Sequence, residues 1–379
     1  MRHFIVTVVG ACAAVLVATG PVGTAFAQAS STATGVSRLM NPAVSANALF
    51  LAQSSSDDDS YGENNIALQE AEMQFSAVVD PFWKANLIVA FHPPHHEEAA
   101  AKAEEHHAGF EVHLEEASLT SRSMPAGLGL RIGKFFLPFG KHAPLHTHQF
   151  PFVRAPLPLL AFLGDHGLTD VGAELSATVP APWYSVAKVY GIDGGVAILD
   201  GEDRDLAYGG RLINLWDVSD NATLELGLSA LTGPAGPGMR QLVYGADLTY
   251  KWSSGSLSHG PAVNWINEVV LPDPDGKVGN PVGAYSLVQY RFARNWWLGL
   301  GGGKVADTAP VEGFESVNLD ADGLVDYSEF KANVTFTPSE FSDLRAEVSY
   351  AETDQDGYED LRFSIQWNFT IGAHPAHLY

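Results

Sequence analysis

Cysteine is almost absent. The chain has one, Cys12, and it lies in an apolar stretch near the N-terminus. No disulfide framework can hold this fold, although the leader described below sends the chain to a compartment that permits one. Stability must come from elsewhere, and a closed hydrogen-bonded sheet would supply it. Long apolar runs are also missing: past the leader, no stretch approaches the roughly 20 residues a membrane helix needs. Positive charge is scarce, with 21 Lys and Arg against 44 Asp and Glu, for a formal net charge of −23. That balance argues against nucleic acid as a partner and against docking on an anionic membrane face. No G-x-S-x-G, H-E-x-x-H or Walker A motif occurs, so no enzyme activity is expected.

What is present begins with an export signal. Arg2 supplies the positive charge, residues 5–18 are apolar, and Ala25-Phe26-Ala27 forms an A-x-A cleavage site. Residues 1–27 are therefore expected to be a signal peptide. Residues 28–42, rich in Ser, Thr and Ala, read as a flexible leader. The expected body is 43–372, and 373–379 form a C-terminal tail.

The body is patterned with a period of two. Near its end, Phe363, Ile365, Trp367, Phe369 and Ile371 alternate with Arg362, Ser364, Gln366, Asn368 and Thr370. In an extended strand these two sets face opposite ways. One such strand fits a wall between lipid and water, and equally one layer of a soluble sandwich. Recurrence favours the wall. Residues 66–79 place Ala71, Met73, Phe75, Ala77 and Val79 opposite Glu70, Glu72, Gln74 and Ser76. Further alternating segments lie at 44–52, 83–91, 110–121, 128–136, 168–179, 184–192, 205–215, 223–231, 241–250, 263–270, 284–291, 296–304, 326–336 and 344–351. With the closing strand this predicts about 16 strands, an even number suited to a bacterial barrel.

The connections alternate between short, such as 180–182 and 293–295, and long, such as 92–109, 137–167 and 305–325. The expected fold is thus all-β: a closed antiparallel transmembrane β-barrel with short periplasmic turns and long extracellular loops. The segment 251–261 is long for a short-side turn.

Residues 133–140 read Gly-Lys-Phe-Phe-Leu-Pro-Phe-Gly. Together with Glu70-Ala71-Glu72, Glu115-Glu116-Ala117 and the ending at 369–374, this stretch resembles the porin-like outer-membrane family related to phosphate-selective porins. The resemblance implies a channel in the outer membrane of a Gram-negative-type bacterium, as a homotrimer contacting lipid and passing small solutes or ions. Phosphate selectivity is not carried over, because the lumen-facing set is rich in Glu and Asp. The expected function is passive diffusion with a preference for cations. In general porins the long loop after strand five narrows the pore, and the resemblance implies the same for 137–167. Packing of that loop outside the lumen is the alternative. Expected pore-lining residues are Glu70, Glu72, Lys84, Glu111, Glu115, Arg131, Lys141, His142, His146, His148, Arg154, Asp165 and His166. Loop histidines would titrate near neutral pH.

Two segments suggest metal. His92, His95, His96, His106 and His107 are interspersed with Glu97, Glu98, Glu104 and Glu105, a donor mixture that suits zinc. A solvated low-complexity loop has the same composition. Capture of zinc by this loop for uptake is the alternative function. Residues 318–329 match an EF-hand loop at positions 1, 3, 5, 6, 9 and 12, which would place calcium on Asp320, Asp322, Asp326 and Glu329. The following segment alternates like a strand, so an acidic loop is the other reading. No cofactor is expected to be required; zinc or calcium would sit only in loops.

Overall fold

A computed structural model of the protein describes residues 42–56, 65–93, 110–164, 167–199, 205–235, 238–255, 260–273, 279–308, 324–353 and 359–372. The expected signal peptide, most of the leader and the tail lie outside these residues.

Sixteen strands form one antiparallel sheet. They are β1 (Ala43–Ser55), β2 (Asn65–Val78), β3 (Trp83–His92), β4 (Glu111–Ser121), β5 (Leu128–Phe136), β6 (Thr169–Thr178), β7 (Tyr184–Ile192) and β8 (Ala207–Ser219). The second half comprises β9 (Ala222–Pro234), β10 (Arg240–Ser253), β11 (Ala262–Asp273), β12 (Val282–Ala293), β13 (Trp296–Thr308), β14 (Val325–Ser339), β15 (Ser342–Thr353) and β16 (Glu359–Gly372). Each strand pairs with its sequence neighbours, and β1 pairs with β16, so the sheet closes into a barrel. The seam runs from Ser45 opposite Gly372 to Ser55 opposite Arg362. Gly372 ends it at φ +92°, where a Cβ would stand 2.3 Å from the Val44 carbonyl oxygen.

Alternation sorts the two faces as predicted. On β16, Asp360, Arg362, Ser364, Gln366, Asn368 and Thr370 turn inward and are buried, while Phe363, Ile365, Trp367 and Ile371 are exposed outward. Val171, Val189, Leu300 and Phe330 continue the apolar exterior on other strands. Phe82, Trp183, Tyr184 and Trp296 stand exposed at the short-turn end, as an interfacial girdle does. The awkward 251–261 segment shortens, because β10 continues to Ser253 and β11 starts at Ala262. No helix among the described residues is long and apolar enough to cross a membrane. Strands do the crossing, and closure leaves no unpaired edge in the hydrocarbon.

Part of the interior is filled with apolar side chains. Phe135, Leu137, Phe139, Phe150, Phe152, Leu157, Phe162 and Leu163 form a buried apolar cluster with the inward residues Val243, Ile266, Tyr285 and Leu287. Phe135 comes from β5 itself, and the connection after β5 supplies the rest of the first group.

If Ile365 faces hydrocarbon near the middle of its strand, Ile365→Arg should lower stability by about 2–4 kcal/mol. Ser364→Arg, one position away and turned inward, should cost clearly less. Reversible urea unfolding in lipid vesicles measures both, and equal losses would refute the assignment of faces.

Candidate functional site

The connection between β5 and β6 runs inside the barrel. Its hydrogen bonds reach strands all round the wall. The Gly140 amide donates to Ser229 Oγ on β9 (3.1 Å), and the Lys141 amide donates to Glu268 Oε2 on β11 (3.0 Å). The Val153 amide donates to Glu347 on β15 (3.1 Å), and Asn333 Nδ2 on β14 donates to the Pro151 carbonyl (3.1 Å). Gln69 Nε2 on β2 donates to the Val153 carbonyl (3.1 Å), and Asn368 on β16 to the His148 carbonyl (3.4 Å). Only a segment within the lumen can touch β2, β9, β11, β14, β15 and β16 at once.

The inserted segment has two faces. One is apolar and ends in a short helix, α1 (Leu157–Leu163). Wall glycines make room for it. A Cβ on Gly283 would come within 2.7 Å of Phe162 and Pro158, and one on Gly245 within 2.9 Å of Phe139. Gly140 turns the chain at φ +62°, and a side chain there would collide with Glu268 Oε1 at 1.7 Å. The apolar half thus packs against β10 and β12.

The other face carries His146 and His148 toward β2, β3 and β4. His146 Nδ1 lies 2.8 Å from Glu115 Oε2 and 3.3 Å from Glu72 Oε1. His148 Nδ1 lies 3.2 Å from Glu72 Oε2. His92 on β3 is 3.9 Å from both Glu70 Oε2 and Glu115 Oε1. A bulge assembles this group. Register slips between Ile88 and Val89 opposite β4, which leaves Glu115 without a partner residue in the ladder. The extra residue turns both Glu115 and Glu116 inward, and Glu116 accepts from Asn86 Nδ2 at 2.8 Å while lying 3.9 Å from His146 Nε2. A cavity of about 210 Å³ opens beside the cluster, lined by Asn47, Glu72, Gln74, Asn86, Glu116 and His146 among others. Burial alone would lower the pKa of His146, but the Glu72 and Glu115 carboxylates overcome it and hold this imidazolium well above the usual histidine range.

Elsewhere the lumen is neutralised pair by pair. Arg131 meets Glu174 (2.5 Å), Lys141 meets Glu225 (2.7 Å), Arg211 meets Asp247 (2.6 Å), Lys331 meets Glu329 (3.0 Å) and Arg362 meets Asp360. The acidic lumen expected from composition is therefore uneven. Its basic residues are matched to acids over most of the wall, and the acids of β2 and β4 are not among those matched.

Of the predicted pore-lining residues, Glu70, Glu72, Glu115, His146 and His148 converge on one spot. Arg131 and Lys141 sit in separate ion pairs. Lys84 is exposed near the short-turn end of β3, and Glu111 pairs with His113 (3.3 Å) at the far end of β4. The carbonyl of Arg154 accepts from Lys331 (3.4 Å). Asp165, His166, His95, His96, His106, His107, Asp320 and Asp322 lie outside the described residues. Asp326 and Glu329 fall on β14 with opposite parity, hence on opposite faces, and are bound by Lys304 (3.3 Å) and Lys331 respectively. They do not converge as calcium ligands. Sequence reasoning missed Glu116 and the role of the bulge; the consecutive polar pair Glu115-Glu116 inside an alternating strand was the available sign.

The expectation that loop histidines titrate near neutrality does not hold for His142. It is buried, with Nδ1 2.6 Å from the Tyr285 hydroxyl, which itself donates to Glu268 (2.5 Å). Nδ1 therefore carries the ring proton and donates. A second proton, on Nε2, would meet no acceptor. Burial first, and Lys141 second, lower its pKa to about 3.

No protein-family model matches the chain. A protein of Aquifex aeolicus (strain VF5), described as uncharacterized, is 26% identical over 313 residues, which cover 70% of this chain and 63% of that protein. The chain thus spans less than two thirds of that relative's length. Among solved structures, OprB of Pseudomonas putida aligns over 87% of this chain and 94% of its own, at 9% identity and a TM-score of 0.57. The anion-selective porin from Comamonas acidovorans aligns over 87% and 98%, at 11% identity and a TM-score of 0.52. Identities this low carry the fold alone. In fold the chain is a porin-like transmembrane β-barrel, and a barrel of this build, with its apolar belt outside, belongs in the outer membrane of a Gram-negative bacterium.

Between pH 6.5 and about 3 the unfolded loop binds a proton at His142 that the docked loop refuses. Docking should therefore weaken as pH falls through that window, and this group should contribute no slope above it. Limited proteolysis of the loop against pH measures it, and His142→Gln should flatten the His142 part of the profile. An unchanged acid limb in His142→Gln would contradict the assignment.

Proposed function

We propose that this protein is an outer-membrane channel for passive diffusion of small hydrophilic solutes or ions, narrowed by its own loop after β5. The supporting observation is the loop itself, anchored inside the lumen to strands on every side. Its apolar face fills the β10–β12 side. Passage is left to the opposite sector, where the cavity beside β1–β4 is lined by amides, carboxylates and His146.

The charge of that sector supports a preference for cations. The barrel fold does not set the sign, since the Comamonas acidovorans porin is described as anion-selective; the lining does. The basic residues that anion selection needs are neutralised here by Glu174, Glu225, Asp247 and Asp360. Kinship with phosphate-selective porins rests on the 133–140 motif, and this distribution of charge argues against carrying over their selectivity. The reading assigns no catalytic step. A homotrimer, cleavage after residue 27 and a mobile leader complete the proposal on sequence grounds. Zinc capture for uptake by 92–109 is the second reading, and it is favoured by His92, which turns into the lumen beside Glu70 and Glu115.

Single-channel recording in planar bilayers tests the first reading. Small steps with a reversal potential favouring potassium over chloride are expected. Replacing 144–160 by a short Gly/Ser linker should raise conductance severalfold, and Glu116→Lys should shift the reversal potential toward anions. A folded barrel that gives no steps with or without the loop would end the channel reading.

A further inference from the structure

The acids of β2 and β4 outnumber the cationic partners that the described protein sets beside them, which are histidines. Glu70 and Glu72 are 2% and 5% exposed, and Glu115 and Glu116 lie close by. Among the described residues no lysine or arginine is within ion-pair distance of any of the four. Their charged contacts are histidines. Oε1 of Glu70, whose carboxylate lies within 4.8 Å of donor atoms of Glu72 and His148, is buried and accepts no hydrogen bond. Buried carboxylates gathered this way repel one another and lose hydration unless a cation joins them.

The donor geometry suits one. Donor atoms of Glu72, Glu115 and His146 lie within 4.8 Å of one another, as do those of Glu70, Glu72 and His148, and those of Glu70, His92 and Glu115. Metal–ligand bonds of about 2.0–2.2 Å in a tetrahedron set donors about 3.3–3.5 Å apart. Two of the approaches here, His146 to Glu72 at 3.3 Å and the adjoining His148 to Glu72 at 3.2 Å, match that edge, while His146 to Glu115, at 2.8 Å, is shorter and would open on binding. Imidazole beside carboxylate favours zinc-like ions over calcium or magnesium. The two nitrogens of His146 are also divided suitably. Nδ1 faces Glu72 and Glu115, while Nε2 faces Glu116 at 3.9 Å, an arrangement in which a carboxylate orients a metal-binding histidine.

We propose that Glu72, Glu115 and His146 bind a divalent transition-metal ion of the zinc class inside the lumen, with Glu70, His92 and His148 as adjoining donors. The wall supplies the carboxylates and the inserted loop supplies His146 and His148, so the ion ties the loop to β2 and β4. The site is distinct from the histidine-rich segment beyond His92, and it does not depend on conduction.

The test uses the full-length barrel, refolded in detergent, stripped with a chelator and titrated with zinc chloride by calorimetry. Binding of one ion should survive deletion of 94–109. Glu72→Gln and His146→Gln should abolish it, and Glu116→Gln should weaken it about 10–100-fold. Heat-modifiable mobility on gels confirms that each variant is folded. Excess calcium should not displace the ion. Cobalt(II) bound to the 94–109 deletion should give the intense visible bands of a tetrahedral site, which needs no point variant to fold. Loss of zinc binding on deleting 94–109, unchanged affinity in folded Glu72→Gln and His146→Gln, displacement by calcium, or absence of those bands would each overturn the proposal.

Discussion

Closure of the sheet is the constraint on which the rest of this molecule depends. Sixteen strands pair their backbones with one another round the ring, and the β1–β16 seam removes the last free edge. A membrane offers no water to an unpaired backbone group, so an open sheet of this pattern would not persist there. Once the ring is closed, the period-two alternation acquires a fixed meaning: odd and even positions become oil and lumen. With a single cysteine no intrachain disulfide can form, and the barrel owes its stability to this ladder.

The second level of organisation is the loop after β5. Its apolar residues find inside the barrel the burial that a surface loop lacks, and wall glycines at 245 and 283 leave space for the rings and prolines. The docked loop turns a symmetric tube into one with two unlike halves. One half is packed and apolar. The other is narrow, polar and acidic. Its backbone bonds to wall side chains such as Ser229, Glu268 and Glu347 hold it in register with the lumen.

Charge follows the same division. Over most of the wall, arginine or lysine stands beside each of several acids at ion-pair distance. Between β2 and β4 the partners are histidines, His146 and His148 from the loop and His92 from β3. A bulge in β4 lets two consecutive glutamates share the inner face, and this local break in alternation coincides with a cluster of carboxylates and histidines. Breaks of this kind in regular strands often mark functional sites.

Alternation, turn spacing and the even number of segments were legible from the chain alone, because each depends on neighbours a few residues apart. Two strands, 128–136 and 184–192, have the bounds read from the sequence. Glu70, Glu72, Glu115, His146 and His148 were recognisable as lumen or loop residues for the same reason. Their meeting was not, since it joins residues about 75 positions apart, through strand register and the path of an inserted loop. The lost charge of His142, the bulge at Glu115 and the opposite faces of Asp326 and Glu329 were also decided in three dimensions. Burial, pairing and parity across strands are properties of the closed ring, and no stretch of sequence carries them by itself.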